Sequence, residues 1–175
     1  MDKKLEEALN KVEMTYKDLV EISNEMLAPM LDPINSLVGE INSKVNALPV
    51  DQIRDYILQL QLKAFEIAET KEKAALKAEL AEAIQKEQFA ISFNGMDGSA
   101  AVKDKLALVA TSSEIVAETL YNLIANLLKT KLDQLHRLVD ALKSILMSRM
   151  QETKFMNIGS TQDVPPTQGK TKLYE

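Results

Sequence analysis

The sequence predicts an all-α protein, an elongated antiparallel helical bundle with two long helices, a short strand-like loop between them and an extended C-terminal tail. Only five Gly and five Pro occur among the 175 residues, which is typical of long helices rather than of a loop-rich fold. Apolar residues recur every three or four positions, the spacing that places them on one face of a helix. Aromatic residues make up 5% of the chain and Trp is absent, so aliphatic side chains and eight Met must build the core.

Residues 1–28 are predicted to form the first helix. Its apolar residues alternate by four and three, the a/d spacing of a coiled coil, and they form a candidate oligomer seam of Leu5, Leu9, Val12, Tyr16, Leu19 and Met26. The spacing leaves open whether this seam packs within the protomer or onto another chain. Pro29 lacks an amide proton and clashes with the preceding turn, so we expect the helix to end or kink sharply there.

Two further helices are predicted before the middle of the chain. Asp32 as N-cap and Pro33 as first helical residue indicate a short second helix over residues 33–48. A third, long helix over residues 51–88 contains neither Gly nor Pro, and its apolar stripe consists of Ile53, Ile57, Leu60, Ala64, Ile67, Ala74, Ala78 and Ala81. The Ala-rich half favours the helical state and lets a neighbouring helix approach closely.

The segment between the two long helices is predicted to be strand-like. Phe89, Ile91 and Phe93 alternate with polar or small residues, and Asn94-Gly95 is a strong signal for a two-residue turn. A lone hairpin is only marginally stable. We therefore expect this segment to pair with another copy or to pack on the bundle.

The longest predicted helix covers residues 99–153 and completes a bundle domain of residues 1–152. No Gly or Pro interrupts the stretch from Ser99 to Ile158, and Leu132, Leu135, Val139, Leu142 and Leu146 share one face. Residues 153–175 lose this periodicity, which predicts an extended or disordered tail. Leu173 and Tyr174 at its end are candidate anchors for a groove on a partner, and an inert tail is the alternative.

Charge and composition limit the classes of function. The net charge of −5 argues against a general affinity for nucleic acid or anionic membrane. The absence of Cys excludes disulfides and thiolate chemistry. No segment has the length and apolarity of a membrane span, and the N-terminus leads directly into an amphipathic pattern. We therefore expect no membrane partner and no signal peptide, and a location in the cytoplasm or in a virion.

One segment is basic against this acidic background. Residues 129–154 carry a net charge of +3, and Lys129, Lys131, Lys143 and Arg149 form a candidate nucleic-acid patch. The same residues are equally the solvated face of a helix, with cations near the end where the macrodipole favours them.

The sequence contains no recognisable catalytic or metal-binding constellation. His136 is the single His, and Asp133 and Asp140 lie three and four positions away, close enough to orient it on a helix. Charged helix faces bring such neighbours together by chance. Walker, dinucleotide-binding and HExxH motifs do not occur. We therefore expect no enzyme, no catalytic residue, no cofactor and no metal.

Two stretches carry a family resemblance. Lys71–Leu80 and Ala141–Arg149 place an Ala-Leu-Lys helix, a loop and a long Lys-Ser…Arg helix in succession. This arrangement resembles the UvsY-type recombination mediators of T4-like phages over roughly residues 52–150. The resemblance implies a ring-forming helical protein that binds single-stranded DNA and loads a recombinase. The basic residues that it would carry over are Lys143 and Arg149, with Lys129 and Lys131 beside them.

The sequence as a whole favours a non-enzymatic, oligomeric assembly or interaction protein, such as a structural or assembly subunit of a phage virion. Its expected partners are further copies of itself and other protein subunits. The alternative is a single-stranded-DNA-binding recombination mediator, so nucleic acid is a less favoured partner. The virion setting is an inference by analogy with other long helical subunits.

Overall fold

The computed structural model describes the backbone of residues 3–159 and the side chains of residues 10–45 and 47–154. This part of the chain is helical and contains no strand. Its four helices are α1 (Lys3–Lys44), α2 (Val50–Gly95), α3 (Ala100–Ala110) and α4 (Ser112–Gly159). A short 3-10 turn at Val45–Ala47 leads from α1 to α2. The all-α class predicted from the sequence is confirmed.

The long helices run up, down and up. Arg54 near the start of α2 lies 3.9 Å from the sulfur of Met150 near the end of α4, and Lys77 Nζ lies 5.1 Å from the ring centre of Tyr121. These contacts show that α2 and α4 are antiparallel. Asn35 of α1 accepts a hydrogen bond from Lys131 of α4. At about 1.5 Å per residue, the 48 residues of α4 span roughly 70 Å.

The core follows a seven-residue repeat on every long helix. In α1 it contains Leu27, Ile34 and Ile41, and in α4 it contains Leu128, Leu135 and Leu142. This is the repeat of coiled-coil packing, in which the side chains at two positions of each heptad, a and d, enter holes on the partner's surface. The stripe predicted for the third helix is confirmed, because all of its members are buried except Ile57, which is partly buried against the core.

The closest helix pair is α2 with α4, and α3 continues along α2 beyond the start of α4. Buried Ala64, Ala74 and Ala78 give α2 a surface of small side chains, over which the backbone of α4 approaches closely. In contrast, α1 contributes larger core residues such as Ile34 and Ile41, and few of its Cα atoms come within 8 Å of the other helices. It therefore covers one side of a tight two-helix pair.

The predicted break at Pro29 and the separate helix over residues 33–48 are wrong. Both Pro29 and Pro33 lie inside α1, which continues to Lys44. An internal proline costs roughly 3 kcal/mol because it removes a hydrogen bond. Leu27, Ile34 and Ile41 are buried at a constant spacing across both prolines, and this burial outweighs the local cost.

The predicted strand-like segment is also wrong, because α2 extends past residue 88 to Gly95. The rings of Phe89 and Phe93 stack with centroids 6.1 Å apart, a contact that one helical turn creates and that stabilises the helix. The chain then reverses before α3. Gly98 adopts φ +126° in this turn, a backbone conformation that glycine tolerates without strain.

The single helix predicted over residues 99–153 is interrupted at Thr111, and it extends beyond its predicted end. Thr111 departs from helical geometry, with φ −104° and ψ 16°, and its hydroxyl and its backbone amide both donate to the carbonyl of Ala107 at 3.1 Å. Thr111 is fully buried, and the bond to Ala107 satisfies its hydroxyl there. The first residues assigned to the tail, 153–159, belong to α4, and residues 160–175 lie outside the described part of the chain.

A polar cluster joins α1 to α2 near the turn between them. Tyr56 donates a hydrogen bond of 2.9 Å to Glu40 Oε1, and Lys44 donates one of 3.0 Å to the same oxygen. The bond from Lys44, followed by the bond from Tyr56, lowers the pKa of Glu40 below 4.5. Glu40 in turn raises the pKa of Lys44 and of Tyr56.

We predict that Leu135→Ala lowers the free energy of unfolding by about 2–5 kcal/mol, because it leaves a cavity in the core. Leu135 is fully buried between the helices, whereas Asp133 on the same helix is exposed. Asp133→Ala is the matched control, with an expected change below about 0.5 kcal/mol. Chemical denaturation of both variants measures the difference, and equal effects would contradict the assigned core face.

We predict that Tyr56→Phe raises the pKa of Glu40 toward its ordinary value without reaching it, because the bond from Lys44 remains. An NMR titration of the Glu40 carboxyl measures the shift. A lowered folded-state pKa stabilises the fold at pH values above the unfolded-state pKa, and this contribution is lost as the pH falls through the folded-state value. The variant should therefore lose less stability than the parent on acidification below 4.5, and an unchanged Glu40 pKa would refute the contribution of Tyr56.

Candidate functional site

The seam predicted on α1 divides into an exposed half and a buried half. Val12 and Tyr16 are 67% and 59% exposed, whereas Leu19 is 8% exposed. Leu5 and Leu9 belong to the helical backbone of α1, but their side chains lie outside the described residues. The first half of the seam is therefore apolar surface, and the bundle covers the helix from Leu19 onward.

The buried stripe of α1 shifts by one position after Leu19. It continues through Ser23 and Leu27 in two steps of four, so Met26 of the predicted seam is exposed. Ser23 is fully buried, and its hydroxyl donates to the carbonyl of Leu19 at 2.7 Å. Two successive four-residue steps locally change the path of a heptad stripe around its helix.

The exposed half of the seam borders an open apolar groove. This groove of about 500 Å³ is lined by Val12, Tyr16 and Leu19 from α1 and by Thr119 from α4. Within residues 3–159, no Cα atom of α1 lies within 8 Å of α3. By this measure α1 does not pack closely on α3.

The α3 end of the bundle exposes apolar residues as well. Val102, Leu106 and Val109 are exposed and lie at steps of four and three, and Val116 continues the same line on α4. The sequence analysis assigned this region to one long helix and did not identify the line. Its signal was the composition of α3, where eight of the eleven residues are apolar, since a helix with one buried face does not need apolar residues on the others.

The outer face of α2 is the third exposed apolar surface, and it was also missed. It comprises Leu58, Leu62 and Phe65 in the first half and Leu76 and Leu80 in the second, and Phe65 is 74% exposed. These residues lie opposite the buried stripe of the same helix. A second set of apolar residues at steps of four and three was the signal that could have identified this face.

The four basic residues of the candidate nucleic-acid patch do not form one surface. Arg149 donates to the carbonyl of Val45 at 3.3 Å, and Lys131 donates to Asn35 of α1. Both residues therefore join α4 to the first hairpin, which α1 and α2 form. Lys143 lines a groove between α2 and α4 and lies 3.3 Å from Asp140. At about 100° per residue, Lys143 and Arg149 are roughly 120° apart on the helix.

His136 lies in the groove between α2 and α4, which has a volume of about 500 Å³. Phe65, Lys143 and Asp140 line the same open space, so an apolar ring and both signs of charge surround the imidazole. Among the described side chains, no group of three or more His, Asp and Glu residues could hold a metal ion. The candidate tail anchors Leu173 and Tyr174 lie outside the described residues.

Ion pairs on the outer surface run mainly along single helices. On α2, Lys73 donates to Glu69, and Lys86 donates to Glu82, in both cases four residues away. The bond from Lys73 lowers the pKa of Glu69, and the bond that Lys86 donates to Glu82 raises the pKa of Lys86. Such exposed pairs contribute little to stability, but they hold each charged group beside its partner on the same helix.

No family model, curated protein or solved structure matches the chain. Within residues 3–159, none of the helices combines the length and the apolar content that crossing a membrane requires. The interpretation of the three apolar surfaces therefore rests on their geometry and chemistry.

We predict that the protein does not bind single-stranded DNA at physiological salt, because Lys131 is engaged with α1, Arg149 is engaged with the 3-10 turn after α1, and the first 94 residues carry a net charge of −6. Fluorescence anisotropy with an oligothymidylate at low salt and at about 150 mM salt measures binding. Four phosphate contacts would give a logarithmic salt slope of roughly −3. Micromolar binding at the higher salt that is lost in K129A/K143A would contradict the prediction.

Proposed function

We propose that the protein is a non-enzymatic helical subunit of a multi-copy assembly, whose partners are further copies of itself and other protein subunits. The exposed half of the α1 seam carries this proposal. Val12 and Tyr16 have coiled-coil spacing and remain mostly exposed in the protomer. A heptad seam acts by packing against another helix, and a second chain supplies that helix.

The energetics support association. Burying a Val or Leu side chain fully contributes about 1.5–3 kcal/mol relative to leaving it exposed. The seam, the α3 line and the outer face of α2 together expose many such side chains. Contiguous exposed apolar surfaces of this kind are typical of protein–protein interaction sites.

A phage virion, or the machinery that assembles it, is the setting that we propose by analogy. A long rigid bundle with apolar surfaces on several helices suits a subunit that is repeated many times. The resemblance of residues 52–150 to phage recombination mediators also points to a phage. The mediator activity itself is the second candidate. We rank it lower because Lys131 and Arg149 bind α1 and the turn after it, whereas Lys143 lines the groove between α2 and α4.

We predict that Val12→Glu shifts the protein toward the mass of a single chain, because the carboxylate would lie within the seam. Light scattering at micromolar concentration should show a dissociation constant at least about tenfold higher than that of the parent protein. Burying an uncompensated charge costs more than about 1.4 kcal/mol. Met14→Glu is the matched control. Met14 is also 67% exposed in the protomer, but it lies on the opposite side of the helix from the seam.

Circular dichroism should show the same helix content for both variants, since neither side chain belongs to the core of the protomer. A parent protein that is monomeric at micromolar concentration would refute the proposed function. Equal dissociation of V12E and M14E would show that the seam is not the contact.

A further inference from the structure

Helix α2 is apolar on two opposite faces. One face packs into the core through residues such as Leu60 and Ile67, which are fully buried. The other face, which we call the outer face, consists of Leu58, Leu62, Phe65, Leu76, Leu80 and Ile84, all of them exposed. A helix at the surface of a bundle needs only one apolar face. The outer face is therefore a surface that the described protomer leaves uncovered.

The apolar residues of the outer face are spaced almost symmetrically about its centre. Leu62 and Leu80 lie nine positions before and after Lys71, and Leu58 and Ile84 lie thirteen positions before and after it. In two antiparallel helices related by a two-fold axis, residues at equal distances from the centre face each other. A centre at the level of Lys71 would therefore place Leu62 opposite Leu80 of a second copy, and Leu58 opposite its Ile84.

The remaining apolar pair fits the same centre. Phe65 lies six positions before Lys71 and Leu76 lies five positions after it. The ring of Phe65 would then pack against Leu76 of the second copy. Each half of the face thus meets an apolar half, and the most exposed aromatic ring on α2 gains an aliphatic neighbour.

The charges between the two apolar halves also match. Glu69 and Lys73 lie two positions before and after Lys71, so each Glu69 would face Lys73 of the second copy. Both side chains are more than half exposed, and within the protomer they pair only along their own helix. A parallel arrangement would instead bring Glu69 to Glu69 and Lys73 to Lys73. The charges therefore favour the antiparallel arrangement.

The extent of the face is sufficient for a specific contact. Six large apolar side chains on each copy, covered over half of their surface, would bury on the order of 1,000 Å² in total. This area reaches the roughly 1,000 Å² that a specific contact needs and lies below the roughly 1,200–2,000 Å² of standard stable interfaces.

We propose that the outer face of α2 binds the same face of a second copy, antiparallel and about a two-fold axis at the level of Lys71. The inference deepens the proposed self-association and rests on it, because it assigns one interface of the assembly. The α1 seam lies on another helix and forms a separate contact.

Disulfide trapping tests the arrangement directly, because the chain contains no Cys. Mixed L62C and L80C chains should form a disulfide-linked heterodimer under mild oxidation. L62C alone should not form a linked dimer, because two copies of residue 62 would be about 27 Å apart along an antiparallel pair. Both positions are exposed in the protomer, so these variants keep its core. M147C, at an equally exposed position on α4, is the control for random collision.

Charge exchange provides an independent test. E69K alone and K73E alone should each weaken dimerisation about tenfold, because two attractive contacts become repulsive. A mixture of E69K and K73E chains should restore dimerisation in the heterodimer only, since each Lys then faces Glu. E82K and K86E are the matched controls, because they remove the other i,i+4 ion pair of α2 and should leave dimerisation unchanged.

The outcomes separate this inference from the proposed function. Heterodimer trapping of L62C with L80C, together with rescue by charge exchange, supports the two-fold contact. Rapid trapping of L62C with itself would overturn it in favour of a parallel contact. An oligomer that is insensitive to the α2 variants but dissociates in V12E would overturn the inference and leave the proposed function in place. A monomeric parent protein would overturn both.

Discussion

The close antiparallel packing of α2 on α4 is the interaction on which the rest of the structure depends. Small side chains such as Ala64 and Ala78 let the two backbones approach, and Leu128 and Leu135 fill the core beside them. α1 then covers one side of this pair through larger residues. Helix α1 leaves the outer side of α2 uncovered, so the apolar residues there remain exposed in the protomer.

The seven-residue repeat shared by the helices also determines how the bundle can grow. A stripe with this repeat continues along its helix for as long as the spacing is kept, and it can extend beyond the core of the protomer. Val12 lies one heptad before the buried Leu19 in α1, and Leu62 lies on the exposed outer face of α2. Because these residues lie on different helices, they give the proposed self-association two separate surfaces. Two contacts per copy are enough for an assembly larger than a dimer.

Electrostatics plays a local role in this protein. The positive charge of residues 129–154 is a sum over all faces of α4, whereas a phosphate backbone would encounter only one face. Lys131 and Arg149 hold α4 to the first hairpin, and Lys143 faces a different groove. The net charge of a helical segment therefore overstates the positive surface that a ligand meets, and the pairing of charges across helices describes it better.

The sequence by itself determined the all-α class and the buried stripe of α2, because helical spacing is a local property of the chain. It did not determine the helix ends. Pro29 favours a helix end on local grounds, yet it lies inside α1. The end of a helix depends on whether tertiary burial outweighs the local cost, as it does along Leu27, Ile34 and Ile41. Only the tertiary structure decided that Val12 is exposed and Leu19 covered. Both residues have the same heptad spacing. Their exposure differs because the neighbouring helices cover Leu19 and do not cover Val12.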